Sequence, residues 1–179
     1  MDVATTAVVV SLIAIAVLLG LMALGWRNRL RRQQHIQPPS AAPEDRGAPH
    51  YAAVGQYVVT TSGGDWLDRV SVHGLGNKAS ATAAVYSHGL LFDRSGEREI
   101  YIARDSLVGV RLERGMAGKF VEKDGLLVVT WTLGEEIYDT GFRTRYAADK
   151  PQLLAAVNAL IGEPDSSTNP TSPNSKEIQ

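Results

Sequence analysis

The sequence predicts a mainly β domain, a curled sheet or sandwich of about seven short strands closed by one C-terminal helix, standing behind a single transmembrane helix. Three observations predict it. An uncharged apolar run occupies positions 7–26. Short extended segments separated by turn residues fill the middle of the chain. One apolar stripe at helical spacing comes just before a polar, proline-bearing end.

The apolar run from Ala7 to Trp26 is 20 residues long, which as a helix covers about 30 Å, the thickness of a hydrocarbon core. Lipid offers the backbone no hydrogen bonds, so an isolated span this apolar is expected to be helical. Thr5, Thr6 and Ser11 can return their hydroxyls to helix carbonyls, and Trp26 falls at an interface. Four of the six residues that follow are arginines, Arg27, Arg29, Arg31 and Arg32, whereas Asp2 precedes the run. The positive-inside rule therefore places residues 1–6 outside and the domain in the cytoplasm, at the inner face of a cell membrane. A cleaved signal peptide would carry its positive charge before the apolar stretch and would be shorter. The arginines form a basic cluster suited to the membrane surface and its anionic headgroups. Ala16 and Gly20 give one small-xxx-small pair, a common feature that offers weak support for helix association.

Residues 27–50 are basic and then proline-rich, with Pro38, Pro39, Pro43 and Pro49, and read as a flexible stalk. Residues 163–179 are rich in Ser, Thr, Asn, Asp and Pro and read as a disordered tail. The folded unit is 51–162, long enough for one core.

Within it, Val54–Thr61 opens as an edge strand, and Trp66–Val72 alternates with Trp66, Val70 and Val72 on one face. Gly74, Gly76 and Asn77 mark a loop. Thr82–Tyr86 and Leu90–Phe92 are strands turned by Gly89, and Ile100 and Ile102 point inward from the next. Leu107–Glu113 puts Val108, Val110 and Leu112 on the core side. Lys123-Asp124-Gly125 suits a tight hairpin turn. Beyond it Leu127, Val129, Trp131 and Leu133 share a face, and after a turn at Gly134 Tyr138 and Phe142 do the same. Asp149 reads as an N-cap with Pro151 in the first turn. Leu153, Leu154, Val157, Leu160 and Ile161 form the helical stripe that Gly162 and Pro164 end. Trp66, Trp131, Tyr138 and Phe142 are expected in the core.

The succession of strands with a closing amphipathic helix looks like a pleckstrin-homology (PH)-like domain. More narrowly, the N-terminal span together with VSVHGLG at 70–76, SHGLLFDR at 87–94 and LVVTWTLGEEIYDTGFR at 127–143 resembles a family of small actinobacterial single-span membrane proteins with a bacterial PH-like domain. Some members bear names such as transporter or export protein, but one span forms no transport path by itself. Eukaryotic PH domains that hold phosphoinositides use several basic residues around the first hairpin loop. The corresponding stretch, Gly74–Ser80, offers only Lys78, with Arg69 before it, which departs from a multi-basic pocket.

Composition narrows the chemistry further. Lys plus Arg number 18 against 19 acidic residues, unlike a domain built for nucleic acid. No cysteine is present, which excludes disulfides, thiolate metal sites and cysteine nucleophiles. The four histidines, His35, His50, His73 and His88, lack metal-ligand spacing, so no catalytic residue, metal or cofactor is assigned. The Ser62–Asp65 and Gly74–Lys78 stretches lack phosphate-loop spacing. Asp65 with Asp68, and Glu97 with Glu99, read as solvent-edge carboxylates. Lys78, Arg94, Arg98, Arg143 and Arg145 are the candidates for a basic patch that meets headgroups or an acidic partner.

The expected function is a membrane-anchored, non-enzymatic binding or scaffold module, in contact with the bilayer through 7–26 and with anionic lipid or a protein partner, and not with nucleic acid. The alternatives are an accessory subunit of a membrane transport or envelope complex, and an enzyme using His73 or His88 without a recognisable motif. The oligomeric state is left open.

Overall fold

A computed structural model describes residues 2–120 and 124–162. Lys123 of the hairpin turn, the side chains of Thr5, Thr6, Arg29 and Arg32, and the tail 163–179 lie outside the described residues. The chain begins with helix α1, Val3–Arg32. Its apolar stretch Ala7–Asn28 is 22 residues long and none of it is buried against the rest of the chain. The Ser11 hydroxyl donates to the Ala7 carbonyl at 2.9 Å, one turn back.

The domain contains strands β1 (Tyr51–Ser62), β2 (Ala79–Tyr86), β3 (Gly89–Arg94), β4 (Ile100–Ala103), β5 (Leu107–Glu113), the short β6 (Gly115–Met116) and β7 (Lys119–Phe120), then β8 (Leu126–Leu133) and β9 (Glu136–Thr144). Helix α2, Asp149–Gly162, ends it. Seven strands make one antiparallel sheet in the order β4-β3-β2-β1-β9-β8-β5, and β6 and β7 form a separate hairpin.

The first strand is central, not the edge strand its sequence suggests. Residues Tyr51–Tyr57 pair with β2, and Gly55–Ser62 pair with β9, with a register shift between Tyr57 and Val59. That irregularity bends β1 from one half of the sheet into the other, as bulges do at sheet corners. Its polar Thr60 and Thr61 are fully buried, as befits a central strand.

The inner face follows the alternation read from sequence. Leu127, Val129, Trp131, Tyr138 and Phe142 join Tyr57, Phe92, Ile100 and Ile102 in the core. Phe92 and Phe142 lie 5.6 Å apart, Tyr57 meets Phe92 edge-on at 5.9 Å, and Trp131 tilts against Tyr138 at 5.8 Å. Helix α2 lays Leu153, Val157 and Leu160 over this interior, across β5, β1 and β2. Asp149 is its first helical residue instead of the cap before it.

A one-way relay of buried hydroxyls crosses the core. The Trp131 indole N–H donates to Thr140 Oγ1 at 2.9 Å, Thr140 and Thr60 are 2.7 Å apart, and Thr60 and the Tyr57 hydroxyl 2.6 Å. The Tyr57 hydroxyl donates to the Leu75 carbonyl at 2.8 Å. Because the indole can only donate and the carbonyl can only accept, each hydroxyl between them gives one proton forward and takes one from behind. Every member is satisfied, which is the condition under which a buried polar network specifies a fold instead of weakening it.

Three expectations fail locally. Residues 66–72 are not a strand but a series of turns, joined to the sheet by an isolated bridge from Thr61 to Arg69, although Val70 and Val72 do pack on the core. Trp66 is consequently 46% exposed and outside the core. On β5 a register shift between Leu107 and Gly109 turns Val108 to solvent, whereas Val110 and Leu112 keep the core side.

Candidate functional site

Helix α1 meets the domain through the residues that follow it. Gln33, directly after α1, is buried, and its amide donates to the Arg69 carbonyl at 3.0 Å while its oxygen accepts the Ser71 N–H at 2.7 Å. Ile36 is buried in the core cluster, and the His73 ring holds the Ile36 carbonyl at 2.7 Å. His73 adopts φ of +56°, a conformation rare outside glycine but tolerated better by histidine than by bulkier residues. The beginning of the stalk is thus docked and not free, a role that its composition does not announce. His35 reaches Glu136 at 3.2 Å, and Arg46 further along pairs with Glu99 at 3.3 Å.

At this end of the domain Glu136 and Tyr138 perturb each other. The Tyr138 hydroxyl donates to Glu136, which is held below the usual carboxylate range chiefly by that bond, with His35 assisting. Burial and the same carboxylate push the Tyr138 hydroxyl up. Between Gln33, Tyr138 and the Ser62–Gly63 turn lies a concavity of about 690 Å³.

The proposed basic patch separates into parts. Arg94 is 2% exposed. Its Nε and Nη2 donate to the Arg98 carbonyl at 2.8 and 2.6 Å, its Nη1 to the Gly74 carbonyl at 2.7 Å, and its guanidinium lies 4.7 Å from the Tyr57 ring centre. Burial lowers its pKa, with Tyr57 and Glu97 opposing the shift. Such a group braces two loops and presents nothing to a ligand. Arg98 and Lys78 are exposed. Arg143 and Arg145 do come together, lining a concavity of about 540 Å³ with Ser80 and Lys150. Lys150 donates to the Asp124 carbonyl at 2.6 Å, and its presence here was not anticipated from the sequence because it belongs to the first turn of α2. The cluster sits at the end of β9 opposite Glu136, eight residues along the strand, or about 26 Å from the contact made by the residues after α1. On α1, Arg27 and Arg31 are exposed.

The outer face of the sheet holds a smaller apolar cluster of Val58, Val59, Met116, Leu126 and Val128, covered by the β6–β7 hairpin. Gly141 makes room for it: a Cβ there would stand 2.8 Å from Met116 Sδ. Beside it Asp139, buried, takes two bonds from Arg111 at 3.1 and 2.9 Å and one from Thr130 at 2.6 Å. Burial would raise this carboxyl, but Arg111 and Thr130 outweigh it and hold it below its ordinary range.

The remaining candidates have structural partners. His88 lies against the Ser87 hydroxyl at 2.9 Å, and its carbonyl accepts Tyr101. Asp65 accepts the amides of Leu67 and Asp68, Asp68 accepts the Ser62 hydroxyl, Glu97 accepts Asn77 and Glu99 pairs with Arg46. Among the described residues no group of three or more His, Cys, Asp or Glu is placed to hold a metal ion.

Comparison with known proteins points to the fold. A family model described as "Bacterial PH domain-like" matches residues 36–158. No curated protein matches the sequence. Similar solved structures include a chain of "The 8S snRNP Assembly Intermediate", with 13% identity over 78% of this chain and 97% of the other and a TM-score of 0.44. The C-terminal phosphotyrosine interaction domain of APBB2 from mouse matches with 11% identity over 73% and 98% and a TM-score of 0.44. The C-terminal domain of an unknown protein from Leishmania infantum matches with 11% identity over 78% and 97% and a TM-score of 0.38.

Proposed function

Because the chain belongs to the bacterial PH domain-like family, whose fold serves in general as a non-catalytic binding scaffold, we propose that it is a membrane-anchored binding module. In this reading α1 crosses the cell membrane once with the N-terminus outside, and the domain works in the cytoplasm at the inner surface. The observation that carries it is α1 itself. Its 22-residue apolar stretch is exposed all round, a state that water disfavours strongly and lipid satisfies, and Arg27, Arg29, Arg31 and Arg32 follow it.

The binding face we assign is the concavity of Arg143, Arg145 and Lys150. Lying about 26 Å along β9 from the anchor contact, it suits an acidic protein segment in the cytoplasm better than the headgroups beneath α1. Tethering keeps local concentration high, so modest affinity suffices. The narrower kinship with small actinobacterial single-span proteins belongs to the same proposal and rests on the sequence stretches quoted above.

The second reading, an accessory subunit whose span makes the contacts, draws on Ala16 and Gly20, since open space surrounds the position of a Gly20 Cβ. Pulldown in mild detergent separates the two. Replacing 7–26 by another apolar span should leave partners bound, and Arg143→Glu with Arg145→Glu should release them. Loss on the span swap alone would favour the accessory subunit.

A further inference from the structure

We infer that the Trp66–Leu67 tip of the loop between β1 and β2 rests in the interfacial layer of the bilayer that α1 crosses, giving the domain a second, apolar foothold beside its anchor. The inference depends on α1 being a span, and adds that the domain is seated on the membrane instead of swinging from it.

Position is the first support. Gln33 clamps Arg69 and Ser71, so this loop is fastened to the residue that immediately follows α1. The apolar stretch ends at Asn28, and the five residues from there to Gln33 rise only about 7.5 Å at helical pitch. The headgroup layer on each side is itself roughly 5–8 Å deep. A loop held at Gln33 is therefore already at the level of the headgroups.

Chemistry is the second. Trp66 is 46% exposed, Leu67 59%, and Ile137, which packs against the Gly63 backbone, 49%. Trp66 and Leu67 thus put two large apolar side chains next to each other in one loop, whereas the other exposed ones of the domain, Val54, Val108, Ile137 and Tyr146, lie on separate elements. Tryptophan is the side chain best matched to an interface, with an apolar body and one polar N–H.

Rigidity is the third. Asp65 caps the amides of Leu67 and Asp68, the Ser62 N–H donates to the Asp68 carbonyl at 3.0 Å, and the Ala117 N–H donates to the Trp66 carbonyl at 2.7 Å. The backbone of the tip is thus fixed in place, so little ordering entropy opposes the transfer of its exposed apolar surface into lipid. Within the loop Asp65 and Asp68 outnumber Arg69, so any attraction of anionic headgroups falls to the arginines that follow the apolar run and not to the tip. The contact is an apolar one and should not depend on anionic lipid.

The test uses the full chain in nanodiscs and its own fluorescence. In a Trp26→Phe background, phosphatidylcholine brominated near the headgroup should quench Trp66, and Trp66→Phe should remove the quenchable emission, leaving buried Trp131 unaffected. Adding phosphatidylglycerol should not change the quenching. A Leu18→Trp probe in the Trp26→Phe, Trp66→Phe background reports the span through quenching by mid-chain bromines. Quenching at Leu18→Trp without quenching at Trp66 would overturn the foothold and leave the anchor standing. Absence of both would overturn the span and the foothold together. Quenching of Trp66 only when phosphatidylglycerol is present would overturn the apolar contact in favour of charge attraction.

Discussion

Replacing Arg94 by methionine separates a structural arginine from a binding one. The guanidinium makes three bonds to two carbonyls, those of Arg98 and Gly74. Bonds to a charged group contribute about 1.5–3 kcal/mol each, and the cation–π contact with Tyr57 adds about 1 kcal/mol. Against this stands the cost of keeping a guanidinium out of water, which methionine relieves and which reduces the net loss. Two carbonyls left without a donor restore part of the penalty, so the expected loss is about 2–4 kcal/mol. For a domain of this size that lowers Tm by roughly 10–15 °C. Thermal unfolding of the full chain in nanodiscs, followed by near-ultraviolet circular dichroism, reads it directly. Arg94→Lys should recover only part of the loss, because an ammonium cannot span both carbonyls in the fork geometry. Binding to anionic vesicles should be unchanged in either variant. A methionine variant as stable as the parent but deficient in vesicle binding would refute the reasoning and return Arg94 to the ligand patch.

The other predictions use the same unfolding measurement. Gly55→Ala should cost at least about 2 kcal/mol, since its Cβ would collide with the Arg143 carbonyl oxygen; Gly109→Ala, with open space at the same atom, should range from neutral to a gain of about 1 kcal/mol. Thr60→Val should cost about 1–3 kcal/mol by interrupting the hydroxyl relay, whereas Thr61→Val should be neutral or stabilising, because Thr61 Oγ1 is buried without a partner. Asp139 has a depressed pKa, so its contribution is present above the unfolded carboxyl value of about 3.9 and is lost as pH falls through the lower folded value. Stability measured from about pH 6 down to about pH 2 should therefore fall less steeply in Asp139→Asn than in the parent.

Strand pairs with strict alternation were legible because burial on one face leaves a period of two in the sequence, as in Leu127, Val129 and Trp131. The closing helix was legible for the corresponding reason at Leu153, Val157 and Leu160. What alternation could not convey was register irregularity. The bulges in β1 and β5 reverse which residues face inward without changing composition, and so Val108 was misplaced. Trp66–Val72 imitated a strand because Val70 is buried by a turn that happens to share its spacing. Arg94 read as a surface cation because nothing local shows that two loop carbonyls converge on it. The anchor contact was hidden because Gln33 and Ile36 lie in a segment whose prolines signal a linker; only the apolar Ile36 among polar neighbours offered a hint. Of the basic candidates, Arg143 and Arg145 were brought together by their period-two spacing at the end of β9, and Lys150 joined them through the fold alone.

The central claim is a single crossing with the domain on the arginine side. Because the chain has no native cysteine, it is tested most directly by single substitutions, Asp2→Cys and Ser40→Cys, probed in intact cells with a membrane-impermeant maleimide. Asp2→Cys should label from outside and Ser40→Cys only after lysis. Labelling of Ser40→Cys in intact cells would contradict the orientation, and protection of both until lysis would contradict the crossing itself.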